Sequence, residues 1–356
     1  MKKNILRIMG LVLVAAMAFA MVGCTTPAST PTPTPTPADT SEATATPDAP
    51  PDAVEPEKPT EVVITDIYGE VTVPVNPQRV IALDNRTFWT LYDWGVELVG
   101  APVPLLPTGI PYKEEGIIEF DIGSHNDPNL ENIAAADPDL VIVGQRFAGR
   151  YDEIKELVPN AVVINLNFDV SVNAESSADN LVNGFKDFTF ALGQIFDKNI
   201  EAAQLIADFD ASIAAAKAAY NGTDTIMTVI VSGGNIGFSA PRSGRVWGPL
   251  YEIFDWQNSL FVDGASSDHQ GDDISVEAIA QSNPDWIFVL DRDAMNTSAD
   301  GYVPAHDVIA GAPALANITA VVENQMIFAP NDAYTNESIQ TFTILFNEIA
   351  RVLSAG

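Results

Sequence analysis

Residues 130–143, LENIAAADPDLVIV, and residues 276–289, VEAIAQSNPDWIFV, align without a gap at a fixed offset of 146 in a chain of 356 residues. Each copy reads as a short helix, an Asx-Pro-Asp turn and a buried strand. Proline lacks the amide hydrogen that would continue the helix, Asp and Asn tolerate the turn, and an unbroken apolar run suits a strand covered on both faces. Such a strand belongs to a parallel sheet flanked by helices. Two copies this far apart therefore constrain the chain to two related α/β lobes.

The remaining pattern agrees. Strands are expected at 80–83, 98–100, 140–143 and 162–166, alternating with helices at 87–94, 130–136 and 151–157. A hairpin at 62–67 and 71–73, turned by Tyr68-Gly69-Glu70, precedes them. Residues 176–220 carry no strand signal: 178–196 have apolar residues at helical spacing and 200–220 are rich in alanine. Alternation resumes through 225–231, 250–254, 276–280, 286–290 and 326–328, and a helix from about 339 ends the chain. The expected fold class is α/β. Two Rossmann-like lobes with central, largely parallel sheets, at 61–175 and 198–356, are joined by one long interlobe helix at 176–197, with a ligand cleft between them.

Ahead of the lobes, Lys2, Lys3 and Arg7 precede an apolar run at 8–22, too short for a membrane span and suited to a signal peptide. Met21-Val22-Gly23-Cys24 resembles a bacterial lipobox. It implies cleavage of residues 1–23, acylation of Cys24 and a lipid anchor on the extracytoplasmic face of the cell membrane. Residues 24–60, with the run TPTPTPTP at 30–37, have no apolar face to bury and read as an extended, disordered tether. Cys24 is the only cysteine, which excludes an intramolecular disulfide and a cysteine zinc site.

Lys and Arg total 17 against 48 Asp and Glu, a net charge of −31. Loss of residues 1–23 removes three cations and no acids, leaving 14 against 48, or −34. Nucleic acid is excluded as a partner of the whole surface, since it demands a basic footprint. A small anion in a local basic pocket is not excluded. The offset of 146 carries Arg146 onto Arg292, each three residues beyond its strand's last repeated valine, and Glu131 onto Glu277. Arg86, Arg150, Arg242 and Arg245 also follow expected strands, whereas Arg79 and Arg351 do not. Ligands of open α/β sheets bind beyond the carboxyl ends of the strands. Permanently charged, bidentate side chains gathered there suit a multiply charged planar anion. For Arg150, which opens a helix, a surface ion pair is equally open.

With the lipobox, the DPDLVIV and NPDWIFV repeats, the connecting helix, Gly123-Ser124 and Asp291-Arg292, residues 62–356 resemble the class III solute-binding proteins of ABC importers for iron complexes and cobalamin. The stretch SAPRSGRVWGPLYEIF at 239–254, with FVLDR at 288–292, is most similar to the catecholate siderophore type. The resemblance implies a monomeric binding lipoprotein that captures an anionic ferric siderophore and delivers it to ABC permease subunits. It implies no intrinsic cofactor, iron arriving only within the siderophore. The family's ligand-facing arginines fall on Arg146, Arg245 and Arg292, and Arg86 departs from the family's small residue there, adding a fourth cation. Trp247, Phe147 and Tyr302 are candidate stacking neighbours, each with a core or surface role open. Some members complete iron coordination with a histidine and a tyrosine. Here an ungapped alignment places Gln270 at the histidine position with His269 one residue early, and Tyr334 lies in a shorter loop, so direct ligation is left open. His125 and His306 read as surface or loop histidines. Glu131 and Glu277 match the glutamates that dock on the permease, or serve as first-turn acids favoured by the helix dipole.

The same class takes haem and corrinoids, which remain alternatives. A siderophore-processing enzyme is the less favoured reading: the chain has no Gly-x-Ser-x-Gly elbow, phosphate loop or His-Glu-x-x-His. Ser232-Gly233-Gly234-Asn235 lacks dinucleotide-fingerprint spacing and reads as a tight turn at a strand end.

Overall fold

The computed structural model describes residues 59–355. The expected signal peptide, Cys24 and all but the last two residues of the expected tether lie outside the described residues. Strands β1 (Glu61–Asp66) and β2 (Gly69–Pro74) form the expected antiparallel hairpin.

The N-terminal lobe contains β3 (Val80–Ala82), α1 (Phe88–Asp93), β4 (Leu98–Ala101) and β5 (Phe120–Asp121). A short ribbon of β6 (Gly123–Ser124) and β7 (Asp127–Pro128) follows. Then come α2 (Leu130–Ala135), β8 (Leu140–Val143), α3 (Tyr151–Leu157) and β9 (Val162–Asn165). The sheet runs β5-β4-β3-β8-β9 and every pairing is parallel. Strand side chains alternate between two cores. Val80, Ala82, Leu140 and Ile142 pack with Phe88 and Leu91 of α1. Ile81, Leu83, Val141 and Val143 pack with Ile133 of α2 and Ile154 of α3. The apolar runs are unbroken because both faces are covered.

One long helix, α4 (Ser177–Ile195), joins the lobes, and α5 (Asn199–Ala219) returns beside it. Between them Asp197 adopts a left-handed φ of 50°. Lys186 pairs with Asp210 at 2.8 Å across the two helices. At Gly193 a Cβ would come 2.5 Å from that of Ala202, so glycine permits the close approach. Ala178, Leu181 and Phe185 of α4 belong to the core of the C-terminal lobe. Phe188, Ala191, Leu192 and Ile195 of the same helix belong to the N-terminal one.

The C-terminal lobe contains β10 (Thr225–Ser232), β11 (Asn235–Phe238), α6 (Gly248–Phe254), β12 (Gln257–Asn258) and α7 (Val276–Ser282). It continues with β13 (Trp286–Asp291), α8 (Ala305–Ala310), α9 (Thr319–Val322), β14 (Met326–Phe328) and α10 (Ile339–Leu353). Its sheet runs β11-β10-β13-β14, with β12 also on β10 and only β11 antiparallel. Gly233 and Gly234, at φ 58° and 78°, make the two-residue turn between β10 and β11 that the sequence suggested.

The repeat holds at the level of single atoms. Asp137 and Asn283 end α2 and α7 in left-handed conformations, φ 43° and 42°. Two residues on, Asp139 accepts the backbone N–H groups of Gln78 and Arg79 at 2.6 and 3.0 Å. Asp285 likewise accepts the N–H of Thr225 at 2.7 Å. Each repeat thus pins the start of the neighbouring parallel chain segment, which fixes the register of β3 on β8 and of β10 on β13. Among the described residues no helix is long and apolar enough to cross a membrane.

The lobes also meet through direct hydrogen bonds. Asn85 Nδ2 donates to the Thr335 carbonyl at 2.8 Å and Trp89 Nε1 to Asp332 at 2.9 Å. Gln340 donates to Thr90 at 3.0 Å, and Thr108 to the Met295 carbonyl at 2.8 Å.

Candidate functional site

Beyond the carboxyl ends of the parallel strands the chain places Arg86 after β3, Arg146 after β8, Asn167 after β9, Arg292 after β13 and Tyr334 after β14. Arg245 arrives from the loop after β11. The guanidinium carbons of Arg146, Arg245 and Arg292 stand 5.6, 4.7 and 5.0 Å from the centre of the Tyr334 ring. Arginines from both lobes therefore converge on one aromatic side chain, itself only 7% exposed. Arg146 and Arg245 donate to the Tyr334 carbonyl at 3.3 and 3.1 Å, and Arg292 donates to Ser232 at 2.8 Å. The Nε atoms of all three are buried without a hydrogen-bond partner. Burial, and then the like charge of Arg245, hold Arg146 below the usual arginine range. Cations crowded this way favour an anion among them.

The loops that carry the arginines are strained. Gln145, Arg242 and Val246 have φ of 42°, 67° and 65°. A β-branched residue such as Val246 adopts that region only when its surroundings force it. At Gly244 a Cβ would come 2.3 Å from Ser239 Oγ, and at Gly144 one would come 2.0 Å from Asp84 Oδ2. Glycine at both places lets the arginine loops fold tightly against their lobes.

Arg86 is buried, lies 4.0 Å above the Phe168 ring and donates to Asn167 at 3.0 Å. With Gln145, Arg245 and Glu337 it lines a cavity of about 430 Å³ between the lobes. Asp84, fully buried beside Arg86, has its carboxyl held above the ordinary range by burial, although Arg86 opposes this. A second cavity, about 360 Å³, is lined by Arg292, Tyr302 and Tyr334. Tyr302 donates to Asp291 at 2.9 Å, and its burial and that carboxylate push its phenol up to about 12. A larger cavity of about 720 Å³ includes Trp89, Leu106 and Ile344 but none of the four arginines. Arg86 and Arg245 line the 430 Å³ cavity and Arg292 lines the 360 Å³ one.

The other sequence candidates fall elsewhere. Trp247 is fully buried against Phe288 in the core of its lobe, and Phe147 is fully buried in the core of the other. Neither ring is available to a ligand, so the stacking expected of them is corrected to a core role. Arg150 pairs with Glu153 at 2.8 Å and Arg242 with Glu252 at 3.3 Å, both on the surface. His269 is exposed, two residues from Ser267, which lines the 430 Å³ cavity. Among the described residues no three His, Cys, Asp or Glu side chains gather as a metal site. His306 is exposed beside Asp307, whereas His125 lies near Arg146, and burial followed by the charges of Arg146 and Arg150 lowers its pKa. Glu131 and Glu277 are exposed in the first turns of α2 and α7.

Sequence reasoning missed Glu337, which pairs with Arg245 at 3.1 Å and accepts from Gln145 at 2.8 Å. No local pattern marks it, because its partners are distant in sequence.

The profile of the periplasmic binding protein family matches residues 80–333. The chain is 28% identical over 285 residues to the petrobactin-binding protein YclQ of Bacillus subtilis, covering 78% of this chain and 83% of that protein. It is 28% identical over 295 residues to the ferric-anguibactin-binding protein FatB of Vibrio anguillarum, covering 82% and 87%. Among solved structures it superposes on the siderophore-binding protein BauB, bound to a complex of two acinetobactin molecules and ferric iron. That match has a TM-score of 0.69 at 25% identity, over 82% of this chain and 98% of that one.

Proposed function

Because this chain belongs to the periplasmic binding protein family, we propose that its interlobe arginines capture a ferric siderophore, an anionic catecholate chelate, for an ABC importer. The observation that carries this reading is the convergence of Arg146, Arg245 and Arg292, from two lobes, on the ring of Tyr334. A ferric tris-catecholate carries about three negative charges on flat aromatic rings, and guanidinium groups match both features through charge-assisted hydrogen bonds and cation–π contact. The names of YclQ, FatB and BauB support an iron chelate as the cargo.

In this reading the chain binds and releases its cargo unchanged, as a monomer without a resident cofactor. Iron enters as part of the chelate. Tyr334 supplies a stacking surface, and neither it nor His269 is needed as an iron ligand when three catecholates already fill the metal's coordination sphere. Cys24 anchors the protein outside the cell membrane, and Glu131 and Glu277, one on each lobe, meet the permease.

Quenching of intrinsic tryptophan fluorescence by a panel of ferric catecholates, ferric hydroxamates, haem and cobalamin tests the assignment. Saturable quenching by a ferric catecholate at one equivalent is expected. Quenching by haem or cobalamin without any by the ferric chelates would overturn it.

A further inference from the structure

Among the acids near the cleft, which include Asp84 beside Arg86 and Asp169 in the cavity lining, Glu337 is the one that pairs with Arg245. Glu337, its side chain 14% exposed, holds Arg245 Nη2 through Oε1 at 3.1 Å. Its Oε2 accepts from Gln145 Nε2 at 2.8 Å. The glutamate is thereby claimed from both walls, by Arg245 of the C-terminal lobe and by Gln145 in the strained turn of the N-terminal one. Arg86, Gln145, Arg245 and Glu337 line the same cavity, so this negative charge is held in the space an anion must enter. It is not a surface counter-ion that solvent screens. Arg245 Nη2 already serves both Glu337 and the Tyr334 carbonyl, so an anion that engages this nitrogen takes the place of the carboxylate.

We propose that Glu337 is a displaceable internal anion that closes Arg245 to small inorganic anions and yields it only to a ligand that engages several of the arginines at once. Phosphate or sulfate offers one guanidinium about what the carboxylate already gives and gains nothing by exchange. A large multivalent chelate offsets the displacement with its contacts to Arg86, Arg146 and Arg292. This deepens the siderophore reading and rests on it for the identity of the large ligand, but the exclusion of small anions is measurable without any siderophore.

Glu337→Gln keeps the shape and an oxygen for Gln145 while removing the charge. Melting temperature and calorimetric titration are followed with inorganic phosphate and with sulfate, at ionic strength held constant with chloride. The wild type is expected to ignore both ions. The variant is expected to bind them about tenfold or more tightly than the wild type, the factor of a single charge-assisted hydrogen bond. Phosphate should then compete with a ferric catecholate for the variant alone. Glu337→Ala provides a check that does not depend on the new amide. Equal phosphate binding by wild type and both variants, or none by any of them, overturns the proposal. A wild type that fails to bind any ferric siderophore refutes the functional reading instead, and leaves the phosphate result to stand or fall separately.

Discussion

Replacing Arg146 and Arg292 by glutamine, singly and together, removes one cation from each wall of the cleft. In the free protein each guanidinium makes one hydrogen bond, to the Tyr334 carbonyl at 3.3 Å and to Ser232 at 2.8 Å, and each has a buried, unpartnered Nε. Donors therefore remain for a ligand. A hydrogen bond to a charged group contributes about 1.5–3 kcal/mol, and partial exposure of both side chains argues for the lower end. Each single substitution is then expected to weaken a ferric catecholate about tenfold and the pair about a hundredfold, at 1.4 kcal/mol per factor of ten. Because both arginines pack on Tyr334, the double variant should depart somewhat from the product of the singles. Fluorescence titration at low and high salt is the assay, with the wild-type advantage shrinking as salt rises. A change under threefold in the double variant, or an equal loss for a neutral ligand such as cobalamin, refutes the reasoning.

Three further outcomes are expected. Glu131→Ala with Glu277→Ala should abolish uptake in cells while leaving affinity for the chelate intact; lost affinity would count against a docking role. The Asp84 carboxyl is held above the ordinary range, chiefly by burial, so the folded state binds its proton more tightly than the unfolded chain does. Stability from this group is full in acid and is lost as pH rises through the raised pKa, so Asp84→Asn should raise the melting temperature at neutral pH and little in acid; a larger gain in acid would contradict the sign. Small-angle scattering with and without ligand should show little compaction, because direct bonds such as Trp89 to Asp332 and Asn85 to Thr335 already tie the lobes together beside the helices; a large hinge closure would contradict this.

Much of the fold was legible because the repeat encodes packing on both faces of a strand. The Asx-Pro-Asp turn announced a helix end and a strand start, and Asp139 and Asp285 both perform that joint task by accepting a backbone N–H at the start of the neighbouring chain segment. The arginines were legible because strand ends face the cleft in this architecture, although two of the six, Arg150 and Arg242, are taken by surface carboxylates. Side-chain direction was not legible. Trp247 lies two residues from Arg245, yet the left-handed backbone of Val246 intervenes, and the indole turns into the core. Glu337 was invisible for a different reason: its contacts, to Gln145 and Arg245, exist only once β8, β11 and α10 are in place. The role of α5 was half visible, since an alanine-rich helix signals close packing without naming what it packs against.

The division of α4 between the two cores bears on how such a chain can be taken apart or exchanged. Phe185 packs with one sheet's core and Phe188, less than a turn later, with the other's. A chimera that swaps one lobe for a relative's must cut this helix or bring it along whole, and either choice leaves a foreign interface inside a core. Substitutions confined to the loops at the strand ends leave this shared helix and both its interfaces intact.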